Sequence, residues 1–189
     1  MHEIRFHSRG GQGGVVGSEV LAQAFFLEGK FVQAFPAFGV ERRGAPVLAF
    51  CRSADHPILL RNNIYEPDHV VVLDFSLLQT TDITKGLKEG GTVLINGKKH
   101  PEHYQRIIGE QWPIYVVDAG AIAYNEGLGS PTNPIVNTAI LGAFSRVTGL
   151  VGIDAVSEAI CAFVPAKREE NAKAARIAFE QVRGMQPCR

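Results

Sequence analysis

The stretch Arg9-Gly10-Gly11-Gln12-Gly13-Gly14-Val15-Val16-Gly17-Ser18 decides how the chain begins to fold. Before it, His2 to His7 alternates Ile4 and Phe6 with polar neighbours, the period of a strand. After it, Val15 to Leu27 is an apolar run with the length of a helix. A strand, a glycine-rich turn and a helix N-terminus therefore follow one another. Glycine tolerates positive φ and lets another backbone or a ligand come close. A helix N-terminus presents unpaired N–H groups and a partial positive charge, which together favour an anion. The plainer alternative is a tight strand-to-helix turn that binds nothing. These residues alone leave both readings open.

The glycine run departs from two phosphate motifs. Ser18 follows Gly17, so the lysine of a P-loop is missing, and with it the basis for magnesium–nucleotide hydrolysis. Counting from Gly11, the third glycine of the dinucleotide fingerprint falls on Val16, which weakens a nicotinamide or flavin reading.

Outward from the turn, Val15, Val20, Leu21, Ala24, Phe25 and Phe26 make the first helix apolar on most sides, so more than one face is expected to be buried. Gly29 is placed to end it. Phe31–Phe35 and Val47–Arg52 read as strands. The residues between them contain Pro36, Gly39 and Gly44, leave no room for a crossover helix, and so predict an antiparallel pair. The connecting loop, Phe38-Gly-Val-Glu-Arg-Arg-Gly-Ala-Pro46, is long for a hairpin. Its Arg42 and Arg43 carry planar forks suited to phosphate or carboxylate. The plain reading is a solvated loop in which Glu41 and the arginines pair locally.

Val70–Leu73, Thr92–Asn96 and Ile114–Val117 read as further strands, the first and last each closed by an acid, Asp74 and Asp118. Acids at strand C-terminal ends face the ligand crevice of open α/β sheets, but capping of the next turn or helix is the commoner role. Thr81–Glu89 reads as a short helix weakened by Gly86, and Ala119–Glu126 as another. Asn133-Pro134 reads as the start of a helix that ends near Gly149, and Asp154 as the cap of the next. Pro165–Arg183 reads as the last helix, with Lys167 to Glu170 on its solvated side. The expected fold is a single three-layer α/β/α domain over residues 1–189, with a mixed, mostly parallel sheet.

Composition excludes several classes. With 189 residues, 46% hydrophobic and 20% charged, the chain has the size and make-up of one ordinary globular domain. Formal net charge is zero and no basic run occurs, which gives no support to nucleic-acid binding. No apolar stretch is long enough to span a bilayer and no signal-peptide pattern opens the chain, so a cytoplasmic protein is expected. Cys51, Cys161 and Cys188 are far apart, which argues against a disulfide framework, a zinc site or an iron–sulfur cluster held by this chain alone. Cys51 and Cys161 lie in apolar runs and read as small buried hydrophobes. His7, His56, His69, His100 and His103 are scattered and read as surface residues, with no metal spacing and no visible nucleophile–base pair.

Several separated motifs nevertheless occur in order: Gly10-Gly-Gln-Gly13 before a helix carrying Leu21-Ala22; Phe38 to Pro46 with Arg52 and Pro57-Ile58; and Asp118–Ile122, Gly129-Ser-Pro-Thr-Asn133 and Leu141-Gly-Ala143. In these the chain resembles, over nearly its whole length, the gamma subunit or gamma domain of the 2-oxoacid:ferredoxin oxidoreductases, which act on pyruvate, 2-oxoisovalerate, 2-oxoglutarate or indolepyruvate. It departs from the family pattern at Ala45, where a second glycine is common.

The resemblance implies a subunit of a complex that turns a 2-oxo acid and coenzyme A into acyl-CoA and CO2, passing two electrons to ferredoxin. Thiamine diphosphate with Mg2+ and iron–sulfur clusters would be held by alpha, beta and a cluster-bearing delta subunit, not by this chain. The chain itself lacks the Gly-Asp-Gly…Asn-Asn thiamine signature. It would serve assembly beside the active site and coenzyme A access. The expected site is one surface of Gly10, Gly11, Gln12, Gly13, Arg42 and Arg43, meeting coenzyme A phosphates or a partner's carboxylates, with no catalytic residue and no metal. The alternative function is a free-standing nucleotide or coenzyme A module built on the Gly10–Gly14 turn.

Overall fold

The computed structural model describes residues 1–37 and 44–185. The loop segment carrying Phe38, Arg42 and Arg43, and the tail with Cys188, lie outside the described residues. The chain runs β1 (His2–Arg9), α1 (Gly14–Leu27), β2 (Phe31–Pro36), β3 (Pro46–Ala54), β4 (His69–Val72), β5 (Thr92–Asn96), α2 (Pro101–Ile108), β6 (Ile114–Val117) and α3 (Ala119–Asn125). It continues through β7 (Gly129–Ser130), β8 (Asn133–Pro134), α4 (Ala139–Thr148), α5 (Ile153–Phe163), α6 (Arg168–Gln181) and β9 (Arg183–Met185).

Seven of these strands form one sheet in the order β2-β3-β1-β4-β5-β6-β9. β1, β4, β5 and β6 pair in parallel, whereas β3 pairs antiparallel with both β1 and β2, and β9 antiparallel with β6. The sheet is mixed, and β3 and β9 are the strands that run against the rest. The central strands are short and apolar because both of their faces are covered.

One face packs on α1, α3, α4, α5 and α6 through Ile4, Phe6, Cys51, Val71, Leu94 and Val117. The other carries Val70, Val72, Val93, Ile95, Ile114 and Val116 against Tyr104 of α2 and the turn residues Ile83 and Leu87. Within the thick layer, α4 crosses α6 at Gly142, where a Cβ would overlap the Ala175 carbonyl. α1 is not buried all round: Val16, Phe26 and Leu27 face outward. Its end matches expectation, with Gly29 at φ +80° and its N–H on the Phe26 carbonyl at 2.9 Å.

Several expected elements differ. Residues 81–89 form turns, not a helix. Gly86 has φ +72° and its Cα faces the Tyr65 carbonyl, and Arg5 Nη2 takes the Ile83 and Lys85 carbonyls at 3.0 and 2.7 Å. Pro101–Ile108 is a helix that sequence reasoning passed over. Its start carries Pro101 in the first turn, and its Tyr104 and Gln105 are buried. Asn133-Pro134 does not start a helix. It is the second strand of a small hairpin with β7, closed by the Asn133 N–H on Ser130 Oγ at 3.1 Å, and α4 begins at Ala139. Asp154 lies in the first turn of α5, where Gly152 is the cap, and pairs with Arg176 at 2.7 Å. The last helix begins at Arg168, after Lys167 in the left-handed region, and ends at Gln181 so that Arg183–Met185 returns as β9.

Two histidines are not at the surface. His7 is buried on β1 and accepts from Arg5 Nε at 3.1 Å; burial first, then the Arg5 charge, pushes its pKa down to about 3. His69 is half-buried against Thr92 at 2.8 Å, and burial lowers it to about 4.

Candidate functional site

The C-terminal ends of β1, β4, β5 and β6 form one edge, the side on which parallel α/β sheets bind ligands. At its β1 end sits the glycine turn. Gly10 bonds both ways to the foot of the Phe38–Pro46 loop, its N–H to the Ala45 carbonyl at 2.9 Å and its carbonyl to the Gly44 N–H at 3.1 Å. Gly11 and Gly13 have φ +95° and +72°, and Gly13 leads into α1.

Three of the glycines sit in close packing. A Cβ on Gly13 would lie 2.5 Å from Asn137 Nδ2, one on Gly14 would overlap Ser8 Oγ, and one on Gly17 would lie 3.2 Å from the Asn137 carbonyl. Asn137 Nδ2 donates to the Gly13 carbonyl at 3.2 Å, tying the turn to the chain leading into α4.

Gln12 folds back into the protein. Its Oε1 accepts from the Arg9 N–H at 2.8 Å and its Nε2 donates to Asp74 Oδ2 at 2.8 Å. Asp74 Oδ1 accepts from the Ser76 N–H at 2.9 Å and from Ser76 Oγ at 2.6 Å, capping the 3-10 turn Phe75–Gln79. Arg9 completes the lattice: Nε lies 3.3 Å from Asp74, Nη2 donates to Ser76 Oγ at 2.9 Å and Nη1 to the Gly44 carbonyl at 3.1 Å. Burial opposes ionisation of Asp74, but its hydrogen bonds from Ser76 and Gln12 and the Arg9 charge outweigh it and hold the carboxyl below its usual range.

Of the expected site residues, Gly10 meets the foot of the arginine loop, Gln12 bonds Arg9 and Asp74 within the chain's own architecture, and Gly13 is tied to Asn137; Arg42 and Arg43 lie outside the described residues. Sequence reasoning missed Arg9 and Ser76, which link the turn to β4; the only signal was an arginine directly before the glycines.

Further along the edge, Asp118 caps α3 through the Ala121 N–H at 2.9 Å. Asn96 straddles the gap between strands, donating to the Leu73 carbonyl at 2.9 Å and accepting from the Gly120 N–H at 3.3 Å. Together they floor a cavity of about 360 Å3 walled by Phe75, Tyr124, Pro131 and Pro134.

Among the described residues no three His, Cys, Asp or Glu side chains converge to hold a metal. An iron–sulfur cluster needs several thiolates at one point. Cys51 is fully buried in the sheet, where burial pushes its thiol far up, and Cys161 is half-buried on α5. These donors do not fit a cluster.

The family model for pyruvate ferredoxin/flavodoxin oxidoreductase matches residues 3–181. The chain is 55% identical over 183 residues to the pyruvate/ketoisovalerate oxidoreductases common subunit gamma of Thermococcus litoralis, covering 96% of this chain and 97% of that one. It is 51% identical over 184 residues to the pyruvate synthase subunit PorC of Methanothermobacter marburgensis, covering 97% and 98%. The crystal structure of the pyruvate oxidoreductase subunit PORC of Thermotoga maritima superposes with a TM-score of 0.84 at 38% identity, covering 98% of each chain. These relatives match end to end and are described as subunits, which does not support a free-standing module. The chain belongs to the gamma subunits of the pyruvate ferredoxin/flavodoxin oxidoreductase family.

Proposed function

We propose that this chain is the gamma subunit of a cytoplasmic complex in which alpha, beta and a cluster-bearing delta subunit hold thiamine diphosphate, Mg2+ and iron–sulfur clusters. The complex converts a 2-oxo acid, coenzyme A and two oxidised ferredoxins to acyl-CoA, CO2, a proton and two reduced ferredoxins. When bound, thiamine diphosphate supplies the carbanion chemistry and the clusters carry the electrons. This chain lends a rigid edge beside that centre. Among the described residues, no helix is long and apolar enough to cross a membrane.

The observation that carries the reading is the glycine turn's attachment to the arginine loop. Gly10 holds Gly44 and Ala45 through two backbone hydrogen bonds, and Arg9 Nη1 adds a third contact at Gly44. Gly44 and Ala45, the residues that follow Arg42 and Arg43 in the sequence, are thereby tied to the glycine turn that leads into α1, a helix with no acidic residue in its first turn. By their chemistry, the guanidinium forks of Arg42 and Arg43 suit the phosphates of coenzyme A or a carboxylate of a neighbouring subunit. The turn supplies position and the arginines supply charge.

The test is Arg42→Ala/Arg43→Ala in a complex coexpressed with its partner subunits. A Michaelis constant for coenzyme A raised about tenfold or more, or loss of the gamma chain from the purified complex, supports the surface. Unchanged association together with an unchanged constant refutes it.

A further inference from the structure

We propose that the outer edge of β2 pairs with the same edge of a second copy of this chain, joining two sheets across a two-fold axis. The inference goes beyond the function proposed above and depends on neither the arginine loop nor coenzyme A. β2 is an end strand of the main sheet. Its inner side pairs with β3, Phe31 opposite Ala54, Gln33 opposite Arg52 and Phe35 opposite Phe50. In the same register the Ala37 N–H donates to the Leu48 carbonyl at 2.9 Å. Antiparallel pairs alternate, so residues 31, 33 and 35 also bond inward, and the N–H and C=O groups of Val32 and Ala34 point out of the sheet. Pro36 takes the next outward position, where its missing N–H leaves the β3 ladder intact. Free strand edges are usually blunted by charge or covered. Phe31–Pro36 carries no charged side chain, and Phe31 is 47% exposed.

This edge has the symmetry that a two-fold axis requires. Phe31-Val-Gln-Ala-Phe35 reads aromatic, apolar, glutamine, apolar, aromatic in both directions. With the axis at Gln33, Val32 of each copy exchanges backbone hydrogen bonds with Ala34 of the other. Phe31 of each copy then lies directly opposite Phe35 of the other, in the closer-spaced kind of pair. Moving the axis to Ala34 would set the Val32 carbonyl against Pro36, which has no N–H to give, and would part the aromatics.

The edge is also held ready. The Phe35 ring lies 5.2 Å from that of Phe50, with the Arg52 guanidinium 5.4 Å from its centre. Gln33 has both ends of its amide engaged in its own chain: Oε1 accepts from Arg52 Nη1 at 3.2 Å, and Nε2 donates to the Ile58 and Leu60 carbonyls at 3.2 and 3.0 Å. Those last bonds lay the segment 58–61 beside the strand, with a groove of about 450 Å3 between them.

Charge follows the same axis. Arg61 lines the groove, which reaches Phe35 and not Phe31, and it enters no ion pair among the described residues. Asp55 stands at the Phe31 end, its side chain 82% exposed and one oxygen on Lys30 at 2.6 Å. The axis turns the Arg61 end of each copy toward the Asp55 end of the other, so a free cation meets an exposed carboxylate on both sides.

Sedimentation velocity of the full chain over a concentration series reads the association. A dimer is expected, and Phe31→Asp and Ala34→Pro each raise its dissociation constant about tenfold or more. Ala34→Pro removes only an outward N–H; Phe31→Asp, at an exposed side chain, carries the test if the proline variant unfolds. Unchanged thermal midpoints at dilution show which variants fold.

Register is read by mixing two cysteine variants in a Cys161→Ser/Cys188→Ser background. Mild oxidation joins Phe31→Cys chains to Phe35→Cys chains and neither to itself, because only that pairing brings the Cα atoms within disulfide reach. The proposal is overturned if the chain stays monomeric, if the folded variants associate like the parent, or if the cross-link joins like to like. A monomeric chain whose Phe31→Asp variant drops out of the purified complex would assign the edge to another subunit and overturn it equally.

Discussion

The glycine turn at the end of β1 and the cavity at the ends of β5 and β6 lie on one edge of one sheet, yet they are built in opposite ways. In the turn nearly every group is spent on the fold: Gly13, Gly14 and Gly17 make way for Asn137 and Ser8, and Gln12, Arg9, Asp74 and Ser76 satisfy one another. In the cavity Phe75 and Tyr124 stand half exposed, and among the described residues the neighbouring Lys98, Lys99 and Arg183 enter no ion pair. A glycine-rich sequence therefore does not by itself mark the ligand. Here it is first a device for bringing α1 close to β1 and for rooting the adjoining loop. The groups the fold leaves unused are the better guide to recognition.

The contrast predicts large stability effects at the turn and small ones at the cavity. Gly13→Ala has the largest expected effect, because it combines a left-handed backbone costing about 1–2 kcal/mol with overlap on Asn137 costing about 1–3 kcal/mol. Gly14→Ala costs about 1–3 kcal/mol through Ser8, and adding Ser8→Gly recovers most of it. Denaturant unfolding measures both; parental stability in Gly14→Ala would dispose of the packing account.

The buried end of β1 adds a pH signature. His7 titrates at about 3 in the fold and near 6.5 when unfolded, so the unfolded chain takes up the proton first. Stability from this group is complete above about pH 6.5 and falls by roughly 1.4 kcal/mol per unit as pH drops toward 3. His7→Gln should flatten that slope in a urea series across pH; an unaltered slope would remove His7 as its source. Asp74, held low by Ser76, Gln12 and Arg9, contributes in the same direction at lower pH, below about 4, and Asp74→Asn removes that part.

Gln12→Leu comes next. It deletes the bonds to the Arg9 N–H and Asp74 and costs about 1–3 kcal/mol by the same unfolding assay. A neutral result would mean that the lattice around Asp74 holds without it. Phe75→Ala and Tyr124→Ala should change stability by no more than about 0.5 kcal/mol, as exposed residues do. A loss of several kcal/mol there would erase the contrast between the two regions.

Much of the fold was legible. The period-two run at His2–His7, the apolar strands at 70–73, 92–96 and 114–117, and the proline- and glycine-bearing loop between β2 and β3 each led to the observed strand and pairing. What failed was decided by long-range contacts. Residues 81–89 have helical composition, but Arg5 from β1 takes their carbonyls and Tyr65 closes on Gly86. Asn133-Pro134 carries a helix-start signal, yet Ser130 turns it into a hairpin.

The site divided in the same way. The Gly10–Gly13 turn and the capping roles of Asp74 and Asp118 could be read locally. The bonding of Arg9 to Ser76, and the placing of Lys98 after β5 and Arg183 on β9 around one hollow, depend on sheet order, which no local pattern encodes.

The most direct test of the chain's role as a functional edge, and not a passive one, is 2-oxo-acid-dependent ferredoxin reduction by the partner subunits assembled with and without it. The account predicts that coenzyme A-dependent turnover requires the chain and returns when it is added back. Full turnover by the remaining subunits, with an unchanged Michaelis constant for coenzyme A, would contradict it.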